Sequence, residues 1–329
     1  MKYLIGLAVL LFLISAKHIE AQWIRTSGPP GGYVYSLIVK GDNIFAGTSD
    51  GIFLSTNNGS SWQCKGLTSA RISSFAIRGN NLFAGTQYGV YLSSNDGTDW
   101  ALVNNGLIST YISSIVSDGP KVYAGTNGYG VFVSTNNGTL WKQVNNGLTS
   151  PRINSLLISG NNIFACTDGE VFLSTNNGTF WNPVAGLYGL CLAQSGSIIY
   201  IGTVGDGVYL STNNGTSWTK SGLSNIRIYS LIAYGNYVFA GTETNGIYCS
   251  TDSGGNWTLS QEGVYNTSAN SFAVIDSFLF AGTDWQGFSF QQIMERAGSK
   301  GIITFPTRMS IHYMLKEIVF TSIATLAPY

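Results

Sequence analysis

A closed, all-β ring of short antiparallel strands is the fold class this sequence predicts, and three observations carry it. First, an eight-residue segment recurs: STNNGSSW (55–62), SSNDGTDW (93–100), STNNGTLW (134–141), STNNGTFW (174–181), STNNGTSW (211–218) and STDSGGNW (250–257). Second, a signature ending in A-G-T or a close variant recurs with it. Its threonines, Thr48, Thr86, Thr126, Thr167, Thr203, Thr242 and Thr283, mark seven units separated by 36 to 41 residues. A fixed period of that length signals a repeat architecture. Third, charged residues make up 10% of the chain against 44% hydrophobic, with 41 Gly. That is the composition of many short strands joined by tight turns.

Each unit parses alike. In the second, a strand over 72–77 leads through a turn at Gly79–Asn81 to a strand over 82–86. A Gly-ended turn leads to a third strand over 90–93, and a fourth begins at Trp100. Four antiparallel strands per unit make one propeller blade. Apolar residues on both strand faces (Phe45/Ala46, Phe53/Leu54) fit a blade sandwiched between neighbours. The seventh unit lacks the Trp-ending turn, while an orphan Trp23-Ile24 stands near the start. The reading is a seven-bladed β-propeller of four-stranded antiparallel blades over 22–290, closed by an N-terminal strand. No open interblade edge would then remain. Before it, 1–21 reads as a secretory signal peptide, with Lys2, an apolar run over 4–16 and small residues at Ala16 and Ala21. After it, 291–329 matches no part of the repeat and stays unassigned: a loosely docked tail, an anchoring or sorting signal, or a frame artefact.

Several functions are argued against by composition. With 16 basic and 16 acidic residues there is no electrostatic footprint for nucleic acid. The two histidines, His18 and His312, lie outside the repeats, so no cofactor, metal site or His-based catalysis is expected in the folded body. Cys64, Cys166, Cys191 and Cys249 form no CxxC and read as buried free thiols, with a Cys166–Cys191 bridge as the alternative.

The repeated turn explains its own residues. Asn57, Asn95, Asn136, Asn176, Asn213 and Asp252 can hydrogen-bond their own backbone two residues on. Gly59, Gly97, Gly138, Gly178, Gly215 and Gly254 permit positive φ. Trp62, Trp100, Trp141, Trp181, Trp218 and Trp257 fill space between blades. The pattern S-T-N-N-G-x-x-W resembles the Asp-box or BNR repeat, S-x-D-x-G-x-x-W. That repeat is found in sialidases, sortilin-type receptors, xyloglucan-cleaving glycosidases and photosystem II assembly factors of the Ycf48 type. Five of six copies carry Asn where that family prefers Asp, which keeps the hydrogen-bond acceptor and discards the charge. The resemblance implies a propeller and gives these turns a structural role. The sequons within them, such as Asn58-Gly59-Ser60, are by-products of the turn unless the host glycosylates exported proteins.

Function must then come from positions that vary while the frame repeats. Fifteen residues before each signature Thr stand Tyr33, Arg71, Tyr111, Arg152, Tyr188, Arg227 and Ser268. They fall at the start of the innermost strand, at the mouth of the central channel. Three of the five Arg in 22–290 are among them. Arg offers planar donors for carboxylate, sulfate or phosphate, and Tyr a flat face and a hydroxyl. Asp50, Asp168, Asp206, Glu243 and Asp284 lie on the second-to-third strand turns of the same face and are alternative partners for those Arg. The expectation is an exported, monomeric, non-catalytic propeller that binds a glycan or an extracellular or periplasmic protein at this mouth. One alternative is a sialidase-like or xyloglucanase-like glycoside hydrolase, which short loops and the lack of an R-I-P stretch disfavour. The other is a structural module of a surface protein.

Overall fold

The computed structural model describes residues 23–300 apart from 27, 30–31, 261–267, 276–277, 285–287, 293–294 and 297–298. The expected signal peptide and the end of the tail, 301–329, lie outside the described residues. The described strands pair into seven four-stranded antiparallel sheets and one two-stranded hairpin, Glu295–Arg296 with Ser299–Lys300.

The count of seven blades is corrected to six, and the seventh sheet is the composite that the orphan Trp23-Ile24 implied. Six blades are whole, each built from four consecutive strands, from 34–64 in blade 1 to 228–259 in blade 6. The remaining sheet is a composite. Ala269–Ile275, Phe278–Thr283 and Phe288–Gln292 supply three strands, and Ile24–Arg25 pairs from the other end of the chain, Ile24 with Phe290 and Arg25 with Ser289. The reason is in the sequence: no Trp-ending turn follows Phe288–Gln292, so that stretch lacks an outer hairpin of its own. The last strand also runs past residue 290, to Gln292.

The innermost strands are Val34–Lys40, Ile72–Arg78, Ile112–Asp118, Ile153–Ser159, Gly189–Ser195, Ile228–Tyr234 and Ala269–Ile275. Each packs against the next, and the last against the first, around a central channel. The second strand of every sheet is buried at its last five positions, which is why those strands are apolar on both faces. The outer strands start after the turn Trp rather than on it, as at Ala101–Leu102.

The turns all take one geometry. Asn58, Asp96, Asn137, Asn177, Asn214 and Ser253 have φ between 52° and 59°, and a Gly follows each, also at positive φ. Ser55 Oγ accepts the Gly59 N–H at 2.8 Å, and Asn57 Oδ1 accepts the Ser61 N–H at 2.9 Å; the other five copies repeat both bonds. Asp252 is the one charged residue at the Asn57 position. Hydrogen bonds from the Asn256 side chain and backbone, and from Ser250, hold its carboxyl down at about 2. Stability from its ionisation is therefore fully present above the ordinary carboxylate range and is lost as pH falls through about 2. Asp252→Asn is expected to fold normally near neutrality, and its melting temperature should fall less than wild type between pH 5 and pH 2. Equal falls would show that this turn carries no pH linkage.

Three of the turn tryptophans tie a blade to the backbone of its predecessor. Trp100 Nε1 donates to Lys65 O at 2.9 Å, Trp141 to Val103 O at 2.7 Å and Trp181 to Val144 O at 2.8 Å. Trp23 does the same for the composite sheet, donating to Ser260 O at 2.8 Å.

The Gly of the A-G-T signature has a packing cause. A Cβ at Gly47, Gly85, Gly125 or Gly202 would lie 2.5 to 2.7 Å from Ile72, Ile112, Ile153 or Ile228 of the next blade. Blade 4 reverses the pair: Cys166 stands at the Gly position, and the next blade carries Gly189 where Ile is usual. A Cβ on Gly189 would strike the Cys166 sulfur. Gly189→Ile is expected to cost about 1–3 kcal/mol by overpacking. Adding Cys166→Gly should recover most of that loss, a coupling that urea unfolding of both singles and the double would read. Additive losses would refute the size exchange.

All four cysteines are free, so the Cys166–Cys191 bridge is not formed, and Cys64 is exposed rather than buried. Burial pushes the Cys166 thiol well up and those of Cys191 and Cys249 to about 12, which leaves them inert near neutral pH.

Candidate functional site

A bulge recurs at the start of every innermost strand. Val34 faces Thr48 and Ser36 faces Gly47, leaving Tyr35 outside the register; the same slip occurs at Ser73, Ser113, Asn154, Leu190, Tyr229 and Asn270. A bulge re-aims the extra side chain. Here it adds a second tier of residues two positions beyond the tier marked by Tyr33 and Arg71. Several of them join neighbouring blades: Ser73 Oγ and Ser113 Oγ donate to Ile112 O and Ile153 O, and Asn154 Nδ2 donates to Gly189 O at 3.0 Å.

Both tiers border a cavity of about 540 Å³ at the channel mouth. Of the six residues expected to bind, Tyr33, Arg71, Tyr111 and Arg152 line it. Tyr188 and Arg227 do not. Tyr188 is 58% exposed, and Arg227 is held by Glu243 with its guanidinium carbon 5.3 Å from the Tyr229 ring. The pattern of Arg and Tyr missed Tyr35, Ser113, Asn154, Tyr229 and Asn270, which share the wall. Strand alternation of period two, applied from the first tier, would have found them.

The acids divide. Asp168 pairs with Arg152 at 3.3 Å, and Glu243 meets Arg227 at 3.8 Å and accepts the Tyr229 hydroxyl at 2.6 Å. Asp284 lines the cavity and accepts from Asn270 Nδ2. Asp50 and Asp206 do not border it; the Asp50 carboxylate accepts from Ser49 Oγ at 3.3 Å, and the Asp206 backbone N–H donates to Thr203 Oγ1 at 2.9 Å.

Arg71 differs from the other two mouth arginines. Its guanidinium carbon lies 3.9 Å from the Tyr35 ring centroid, and Tyr35 stacks on Tyr33 with centroids 6.0 Å apart and planes 8° from parallel. The result is a layered Tyr–Tyr–Arg stack across blades 1 and 2. Among the described residues no carboxylate comes within ion-pair distance of Arg71. Its backbone N–H donates to Gln87 Oε1 at 2.6 Å, which fixes the start of its strand. Burial pushes the Tyr35 phenol up, against the pull of Arg71, and burial and the bond to Glu243 push Tyr229 up. Both remain hydroxyls near neutral pH. Chemically, the mouth offers an oriented guanidinium edge beside aromatic faces and neutral donors.

No family model and no curated protein matches this chain. Solved structures match its fold, the β-propeller. YCF48 bound to a D1 peptide superposes with a TM-score of 0.66 at 13% identity, over 84% of this chain and 97% of that one. The extracellular domain of a putative hybrid two-component system from B. thetaiotaomicron gives 0.69 at 17% identity, over 82% of this chain and 39% of that one. A GH74 xyloglucanase from Xanthomonas campestris gives 0.66 at 15% identity, over 86% of this chain and 55% of that one. Identities this low carry the fold alone.

Proposed function

We propose that this chain is an exported, non-catalytic propeller that binds a glycan or a protein segment at the Tyr- and Arg-lined mouth of its channel. The observation that carries the reading is Arg71, a guanidinium stacked on Tyr35 at 3.9 Å with no carboxylate partner among the described residues. A stacked guanidinium keeps its in-plane N–H fork open for an acceptor. The fold's company supports a binding role, since one similar propeller holds a peptide and another is the extracellular domain of a putative two-component system. Glycoside hydrolysis asks for two carboxylates flanking one bond. Of the rim acids Asp284 alone lines the cavity and takes a hydrogen bond from Asn270, while Asp168 is engaged by Arg152, and Glu243 by Arg227 and Tyr229. The test is an array of glycans and peptides probed with the full chain and with an Arg71/Arg152/Arg227→Ala triple variant. Selective binding that the folded variant loses is the expected result. Binding that survives in the variant, or a folded wild type that binds nothing, would overturn the reading.

A further inference from the structure

We propose that the ligand is an acidic polysaccharide, and that its chain leaves the mouth across the turns of blades 2 and 3, stacking on Tyr88 and Tyr129. This rests on the mouth as a binding site and extends it outward. Tyr88 and Tyr129 stand on the second-to-third strand turns of adjacent blades, 52% and 47% exposed. Such exposure of a large ring on a folded turn leaves an aromatic face for a partner.

The two turns are braced alike. Asn104 Oδ1 accepts the Val90 N–H at 2.8 Å while its amide donates to Tyr88 O at 2.9 Å. Asn145 does the same with Val131 N–H and Tyr129 O, both at 2.8 Å. Each turn is also tied to the mouth. Gln87, beside Tyr88, accepts from the Arg71 backbone at 2.6 Å. In the next blade Asn127 N–H donates to Tyr111 O at 3.0 Å, and Gly130 N–H to Pro151 O at 2.7 Å. Guanidinium and aromatic rings therefore sit on one braced surface, so little ordering cost falls on binding.

The spacing of chemistry selects the ligand. A protein interface would bury a continuous apolar core. Here the two exposed rings stand on the turns of separate blades, each turn braced by an asparagine amide, which suits a chain of sugar rings with apolar faces and hydroxyl edges. Arg71 adds the demand for an anion, and its planar fork favours a carboxylate.

The probes are short and long fragments of polygalacturonate, alginate and hyaluronate, with carboxyl-esterified counterparts, titrated into the full chain by calorimetry. For at least one series, wild-type affinity should rise with chain length and fall about tenfold or more on esterification, the loss of one charge-assisted pair. Arg71→Ala should weaken every length. Tyr88→Ala/Tyr129→Ala should leave the shortest fragment unchanged and weaken the longest about tenfold. If the double variant binds long fragments as wild type does, the path across the turns is wrong while the mouth reading stands. If no acidic fragment binds but a peptide carboxylate does in an Arg71-dependent way, the polysaccharide is wrong and the mouth again stands. If nothing binds in an Arg71-dependent way, both fall.

Discussion

Trp181→Ala is expected to destabilise the fold by about 3–5 kcal/mol. Trp181 is fully buried among Tyr123, Val131, Ile153 and Phe172, so truncation opens a cavity between blades 3 and 4. It also orphans Val144 O, which now accepts the indole N–H at 2.8 Å. A blade in a closed ring cannot slide to fill such a gap without disturbing its other neighbour, which argues for the upper part of the range. Trp181→Phe separates the two causes. It keeps most of the apolar area and loses the hydrogen bond, and should cost less than the alanine change. Urea unfolding of the three proteins checks this, with the midpoint falling and the slope unchanged. A loss below about 1 kcal/mol for Trp181→Ala would mean that the blades are not pinned at these tryptophans.

The second large effect is on binding. Arg71→Ala should lower affinity for the mouth's ligand by tenfold to a hundredfold, as removal of a stacked, charge-assisted partner does, with each tenfold about 1.4 kcal/mol. Its melting temperature should stay near wild type, because the side chain is exposed and makes no ion pair among the described residues. Arg71→Lys should fall between, since lysine keeps the charge and loses the planar fork. Arg152 offers the contrast. Its guanidinium meets Asp168 at 3.3 Å, an exposed pair of the kind worth about 0–1 kcal/mol, and its charge is already answered.

Much of the ring was legible because its turns state their geometry. Gly59 demands positive φ and shows it, while Asn57 was expected to bond the backbone two residues on and instead accepts from Ser61, four residues on, because the left-handed Asn58 and Gly59 carry the chain a further step round the turn. The composite sheet was legible from Trp23, whose indole bonds Ser260 as Trp100, Trp141 and Trp181 bond their preceding blades. The second tier was harder to read. Tyr35, Ser73, Ser113, Asn154, Leu190, Tyr229 and Asn270 share a bulge and no chemistry, so only their offset of two from the first tier marks them. The rim acids were legible as partners for the arginines, and what was hidden is that Arg71 takes none among the described residues. Arg152 and Arg227 each reach an acid on their own blade, while Arg71 crosses to an aromatic ring on the blade before. That is decided by side-chain reach across an interface, which spacing along the chain does not encode. The Cys166–Gly189 exchange is a third case. It reads as two isolated departures from the repeat until the blades are placed side by side.

The central claim is that the mouth binds through Arg71, and the most direct measurement titrates one ligand preparation into Arg71→Ala, Arg152→Ala and Arg227→Ala in parallel. The account expects the large loss in Arg71→Ala alone, with the other two close to wild type and all three equally folded. Equal losses in the three variants, or an Arg71→Ala protein that binds as tightly as wild type, would contradict it.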